Sequence, residues 1–185
     1  HDVERIERLI TDYSQMLKDE ASLSRAKMSK IDLSNVVNSV VEDFNSNLLN
    51  SNKNIKINVN QTNLNGSKLH VLGVESKLEQ IVANLLDNAV SFSPTNGEIS
   101  VTCNTQKKDA QLIIEDEGPG FNEKNIDKIF NRFYSNRPEK FGEHSGLGLN
   151  IVKNIIELHG GSIIASNQMG NKKGARIEVL LPIYK

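Results

Sequence analysis

The sequence predicts an α+β sandwich: one mixed sheet, one layer of helices and a site between them. Three observations carry this reading. Apolar residues alternate in short runs that come mostly in adjacent pairs, and between the pairs they recur at three- and four-residue steps. The third is size and composition. At 185 residues, 37% hydrophobic and 24% charged, the chain has enough apolar matter for one core plus an appendage, which excludes disorder. Twenty-two basic against 23 acidic residues leave a net charge of -1, so the electrostatic footprint of a nucleic-acid binder is missing. No stretch approaches the roughly 20 apolar residues of a spanning helix, no signal peptide opens the chain, and it starts at His1 as a piece of something larger would.

Residues 1–28 open with Val3, Ile6, Ile10, Tyr13 and Leu17, a narrow heptad seam that reads as a helix completed by partner helices or, more plainly, as an amphipathic surface helix packing on its own domain. After polar Ser29 and Lys30, Asp32 or Ser34 caps a second helix with the stripe Leu33, Val36, Val37, Val40, Val41, Phe44 and Leu48. The Asn- and Ser-rich run 45–54 ends it. Ile55, Ile57 and Val59 alternate as a strand, residues 61–67 turn, and Leu69 to Gly73 make a second strand. A helix from Val74 to about Phe92 turns Leu78, Ile81, Val82, Leu85 and Ala89 inward. Strands at about 98–103 and 110–116 flank the turn 106–109, a short helix covers about 122–130, and an irregular stretch runs to Ser145. A helix at 146–159, a Gly160-Gly161 turn and strands at about 162–167 and 176–181 finish the chain. The lone Cys103 shares the inward parity of Ile99 and Val101 and reads as core.

Three features suggest chemistry. Gln80, Asn84 and Asn88 form a polar stripe on one helix face, either a solvated surface or carboxamides able to hold a metal bound to a nucleotide. Asp116 shares parity with Leu112 and Ile114, so its carboxylate points to the apolar side. It needs a donor there, such as an adenine amino group, while Gly118 and Gly120 allow close backbone approach. The plainer reading is a strand-ending Asp-Gly turn. Residues 142–149, with Gly146 and Gly148 at a helix start and Lys153 about a turn on, suit phosphate; the pattern is neither a Walker motif nor a Rossmann fingerprint. The loop before it is a candidate lid.

Taken in order, these segments resemble the sensor histidine kinases of bacterial two-component systems. Gln80-x-x-x-Asn84-Leu85-Leu86-Asp87-Asn88-Ala89 is similar to their N box, Asp116-x-Gly118-x-Gly120 to G1, Ile129-Phe130-x-Arg132-Phe133-Tyr134 to the F box, and Ser145-Gly146-Leu147-Gly148-Leu149 to G2. His159-Gly160-Gly161 and Gly170-x-x-x-Gly174 resemble the closing part, and Asn-Ala-x-Ser-Phe-Ser at 88–93 resembles ChvG-type envelope sensors.

The resemblance implies the Bergerat (GHKL) fold over 29–185, preceded at 1–28 by the second helix of the dimerisation and phosphotransfer hairpin. It implies Mg-ATP as phosphoryl donor, with Asp116 on adenine, Asn88 on Mg²⁺ beside Asn84, and Gly118, Gly120, Ser145, Gly146, Leu147 and Gly148 around the nucleotide. It also implies a homodimer through the first helix, a response-regulator receiver domain as partner, and a cytoplasmic position in an inner-membrane sensor. Gyrase and MutL relatives carry a water-activating Glu where this chain has Asn84, which suits phosphoryl transfer better than hydrolysis. Two departures stand out. Ser91 replaces the usual Lys, leaving Lys153, Arg132 or Arg137 to supply charge, and the phosphoacceptor box His-Glu/Asp-x-Arg/Lys-x-Pro is missing, although His1-Asp2 imitates its start. The chain is therefore expected to bind nucleotide without phosphorylating itself. The rival readings are a GHKL ATPase, an anti-sigma-like Ser/Thr kinase, and a non-enzymatic dimerisation module.

Overall fold

The computed structural model describes residues 2–23, 27–48, 52–62, 68–132, 134 and 148–185. Along the chain lie α1 (Asp2–Leu23), β1 (Ser29–Asp32), α2 (Leu33–Leu48), β2 (Lys56–Gln61), β3 (His70–Gly73) and α3 (Glu75–Phe92). There follow β4 (Glu98–Gln106), β5 (Asp109–Glu115), a 3-10 turn (Glu123–Lys128), α4 (Gly148–Leu158), β6 (Ser162–Asn167) and β7 (Ala175–Pro182).

The expected mixed sheet has the order β2-β4-β5-β7-β6, with β2 and β4 parallel and the other neighbours antiparallel. A parallel pair cannot be closed by a tight turn, and the passage through β3 and α3 supplies the crossover. Alternation then sorts the side chains. Ile99, Val101, Cys103, Leu112, Ile114, Ile177 and Val179 point to the helix layer and are buried against Val37, Val82, Leu86, Val152 and Ile156. In that layer α3 packs against both α2 and α4. Cys103 is core, as its parity requires, and burial, with Asp32 adding to it, pushes its thiol up to about 12.

Two features depart from the expectation. The strand at 70–73 leaves the main sheet and pairs antiparallel with β1, a four-residue strand in which Ile31 alone is buried. So short and polar a run carries no alternation to detect. Asp32 rather than Ser34 caps α2, its Oδ1 accepting the Ser34 N–H at 3.1 Å. The helix runs through Asn45, whose amide then pairs with Ile57 of β2 in both directions, Nδ2 donating to the carbonyl at 3.1 Å and Oδ1 accepting the N–H at 3.2 Å.

Helix α1 packs on α4 and buries Met16, while the heptad residues Val3, Ile6, Ile10 and Leu17 stand exposed. The seam thus faces away from its own domain, as a helix awaiting partners would present it. Energetics should divide accordingly. Leu86→Ala empties a site closed on every side and is expected to cost about 2–5 kcal/mol, whereas Ile10→Gln should change the unfolding free energy of the monomer by less than about 0.5 kcal/mol. Urea unfolding of both variants checks the contrast.

Candidate functional site

Asp116 stands where β5 gives way to the Asp-Glu-Gly-Pro-Gly loop, on the inward side with Leu112 and Ile114, and is buried. Its Oδ1 accepts two backbone donors, Gly118 N–H at 2.8 Å and Ala175 N–H at 3.2 Å. Among the described residues Oδ2 takes no hydrogen bond. Neighbouring backbone closes around the group. A Cβ on Gly118 would lie 2.8 Å from the Phe92 carbonyl oxygen and 2.9 Å from Oδ1, and one on Gly174 would overlap the Asp116 carbonyl itself. Gln168 Nε2 donates to that carbonyl at 2.7 Å. Gly120, at φ +76, sits beneath Asn167, whose amide binds both the N–H (2.6 Å) and the carbonyl (3.0 Å) of Phe121. Glu117 Oε2 accepts the Glu98 N–H at 2.9 Å, tying the loop to the start of β4.

Across from this strand end, Phe92 of α3 is the residue touching Gly118. Asn88 lies one turn before it and Asn84 one turn earlier, both half-buried, and Gln80 continues the stripe with its Oε1 accepting from Lys77 at 3.2 Å. The helix is held at both ends by side chains from elsewhere. Val74 caps the N-terminus without a side-chain bond and donates its N–H to His159 Nε2 at 3.2 Å; His159 Nδ1 lies 2.7 Å from the Ile155 carbonyl, so the proton belongs on Nδ1. At the other end the Lys53 ammonium reaches the carbonyls of Val90, Ser91 and Ser93.

Helix α4 begins at Gly148, where an added Cβ would meet nothing within 4 Å. Among the described residues, no neighbour requires glycine at that position. Lys153 pairs with Glu157 at 3.9 Å and stands 6.0 Å from the Phe130 ring centroid. Arg132 reaches α1, with Nη1 donating to the Tyr13 hydroxyl at 3.3 Å and its guanidinium over that ring. Phe133, Arg137, Ser145, Gly146, Leu147 and the candidate lid lie outside the described residues.

The fold therefore brings Asp116, Gly118 and Gly120 together and sets the Asn84–Asn88 face of α3 nearby. Arg132 contacts Tyr13, and Lys153 contacts Glu157 and Phe130. Sequence reasoning missed Lys53, Asn167 and Gln168. Asn167 had a signal, a polar residue on the inward parity of Ile163 and Ala165 at a strand end; Lys53 had none. The donor set suits a metal shared with phosphates rather than one enclosed by protein. Carboxamide oxygens are hard ligands, and the described residues hold no cluster of three His, Cys, Asp or Glu.

A sequence profile described as histidine kinase-, DNA gyrase B-, and HSP90-like ATPase matches residues 73–185. The sensor protein ChvG of Rhizobium meliloti is 38% identical over 98% of this chain and 33% of its own length, so the chain spans about a third of that relative. The structure of a mycobacterial sensor histidine kinase, MprB, superposes with a TM-score of 0.71 at 29% identity, covering 84% of this chain and 97% of the other. Histidine kinase ThkA, solved with a response regulator, shares the fold: TM-score 0.70 at 21% identity, over 97% of this chain and 49% of that one.

Burial raises the pKa of the Asp116 carboxyl from its ordinary value, against the opposing pull of the Gly118 and Ala175 amides. The folded protein then takes up this proton at a higher pH than the unfolded chain does. The cost of the buried charge is thus present in full above the raised pKa and vanishes as pH falls through it to the ordinary range. Wild type is expected to gain stability relative to Asp116→Asn on acidification through that window. Denaturant midpoints of the two proteins, compared at each pH, check the sign.

Proposed function

Because the chain belongs to the family of histidine kinase-, DNA gyrase B-, and HSP90-like ATPases, we propose that it is the ATP-binding catalytic part of a sensor histidine kinase, taking Mg-ATP between α3 and the end of β5. The observation that carries this reading is Asp116: a buried carboxylate whose Oδ1 is saturated by backbone amides while Oδ2 is left for a donor from outside. An adenine amino group is such a donor, and the Gly118–Gly120 backbone lets a flat base approach. Bound Mg²⁺ supplies neutralisation of phosphate charge, and Asn88, with Asn84 beside it, is the residue to hold it.

The remaining work falls to the chain's own groups. Gly118, Gly120 and Asp116 orient the base, and the start of α4 at Gly148 offers amide donors to the phosphates, a role that the G2-like sequence of Ser145, Gly146 and Leu147 shares by resemblance. Nothing in this set is a nucleophile. Phosphoryl transfer depends on positioning and charge neutralisation, so ligands without a nucleophile are the expected equipment. Asn84, standing where hydrolytic relatives carry a Glu, favours transfer to a side chain over transfer to water. The acceptor is a histidine supplied outside these 185 residues, whose sequence holds no phosphoacceptor box. From that histidine the phosphoryl passes to an Asp of a response-regulator receiver domain. The exposed seam of α1 pairs with a second copy, in a membrane-anchored sensor whose catalytic part lies in the cytoplasm.

Asp116→Asn is expected to weaken ATP binding by about 1.5–3 kcal/mol, and by more for ATP than for a purine triphosphate lacking the amino donor. Calorimetry with both nucleotides decides, and an unchanged adenine preference would remove Asp116 from the base site. Wild-type affinity should also fall as pH drops through the raised pKa of Asp116, a dependence that Asp116→Asn should lack. Asn88→Ala should reduce affinity mainly when Mg²⁺ is present. Equal loss with and without metal would mark a packing defect.

Offered a separate fragment bearing a His-Glu-x-Arg-x-Pro helix and labelled ATP, the chain should place acid-labile, alkali-stable phosphate on that fragment and none on itself. Phosphate released to water with or without the fragment would favour the ATPase reading.

A further inference from the structure

Lys53 comes from the segment before β2, yet its ammonium lies at the far end of α3, 3.1 Å from the Val90 carbonyl oxygen, 2.9 Å from that of Ser91 and 3.2 Å from that of Ser93. A helix ends with carbonyls that have no partner within it and with the negative pole of its dipole, and α3 carries no basic residue in its own last turn. An ammonium has three donors, and three converging carbonyls match them. The backbone that delivers the lysine is itself in register with the chain leaving α3. Asn96 N–H donates to the Lys53 carbonyl at 2.7 Å, Lys56 N–H to that of Gly97 at 3.2 Å, and the side chains of Asn54 and Asn96 bond at 2.8 Å. Both asparagines take positive φ, 50° and 61°, the conformation that small polar side chains tolerate best after glycine. Parallel pairing of β2 with β4, beginning at Lys56 opposite Glu98, brings the two segments side by side.

The carbonyl between those bound by Lys53 belongs to Phe92, and it abuts Gly118, whose N–H holds Asp116 Oδ1. Fixing the carbonyls on both sides of Phe92 fixes the direction of its own. We infer that Lys53 is a positioning residue for nucleotide recognition: by clamping the last turn of α3 it sets Phe92 against Gly118 and thereby holds the Asp116 carboxylate on the adenine. This rests on the nucleotide-binding reading above. Lys53 touches no ligand in this scheme, since its donors are spent on the helix, so it is not a stand-in for the phosphate lysine that Ser91 replaces.

The test is the ratio of affinities for ADP and inosine diphosphate, measured calorimetrically in wild type, Lys53→Met and Lys53→Arg, at a temperature where circular dichroism shows each folded. The ratio, unlike either affinity, is insensitive to a general loss of stability. Lys53→Met is expected to lower the ADP preference by about three- to tenfold, the worth of a cation at a helix C-terminus. Lys53→Arg, which keeps the charge but not the tetrahedral donor geometry, should lower it less. A ratio unchanged in Lys53→Met overturns the inference even where both affinities fall together. If Lys53→Met does not fold, Lys53→Arg decides alone: a lowered ratio supports the clamp, a wild-type ratio overturns it. Wild type without any ADP preference would overturn the nucleotide reading and the clamp with it, an outcome distinct from an unchanged ratio in the variants.

Discussion

A carboxylate turned toward the apolar side of a sheet must be met by donors, and Asp116 is met by one amide from its own loop and one from the start of β7. That requirement organises the surrounding structure. Ala175 can donate only if β7 begins directly against the end of β5, and this close approach leaves no room for a Cβ on Gly174. Gln168 fastens the connection between β6 and β7 from the other side by binding the Asp116 carbonyl. Gly118 must fold back over the carboxylate, which brings it against the last turn of α3. One buried charge thus fixes the relative placement of two strands, a loop and a helix, and it leaves one oxygen over for a ligand.

Carboxamide side chains secure much of the irregular backbone. An asparagine amide carries one acceptor and two donors in a plane, so it can pair with a peptide group much as a neighbouring strand would. Asn45 does this for Ile57 and Asn167 for Phe121, while Asn150 Nδ2 holds the Phe130 carbonyl at 3.0 Å. Loops around the site are thereby fixed without filling the space beside it.

Helix α3 is located along its axis by residues that do not belong to it. His159, at the end of α4, receives the N–H of its cap, and Lys53 gathers carbonyls at its other end. Gly73 permits the first contact, because a Cβ there would lie 2.9 Å from His159 Cδ2. Apolar packing alone tolerates small sliding along a helix axis; directional bonds at both termini do not. The polar stripe of Asn84 and Asn88 is consequently set at a defined height relative to Asp116. On the opposite flank of α4, α1 holds its place through Met16 and the Tyr13–Arg132 contact, and keeps its heptad seam outward.

The sequence by itself determined what depends on near neighbours. Alternation put Asp116 and Cys103 on the inward face, helical spacing identified α2, α3 and α4 with their buried stripes, and heptad spacing put Val3, Ile6, Ile10 and Leu17 on one face of α1. These follow because side-chain direction repeats every two residues in a strand and every 3.6 in a helix, whatever lies beyond. Strand β1 escaped because four residues with one buried side chain carry no period, and β3 left the main sheet because pairing partners are chosen in space. Only the tertiary structure decided that Lys53 would cap a helix 37 to 40 residues away, that Arg132 would meet Tyr13 of α1, and that Gln168, Gly174 and Ala175 would close around Asp116. Each is a directional contact between segments whose approach is set by how the sheet and helices stack, and no local pattern of residue types records that geometry.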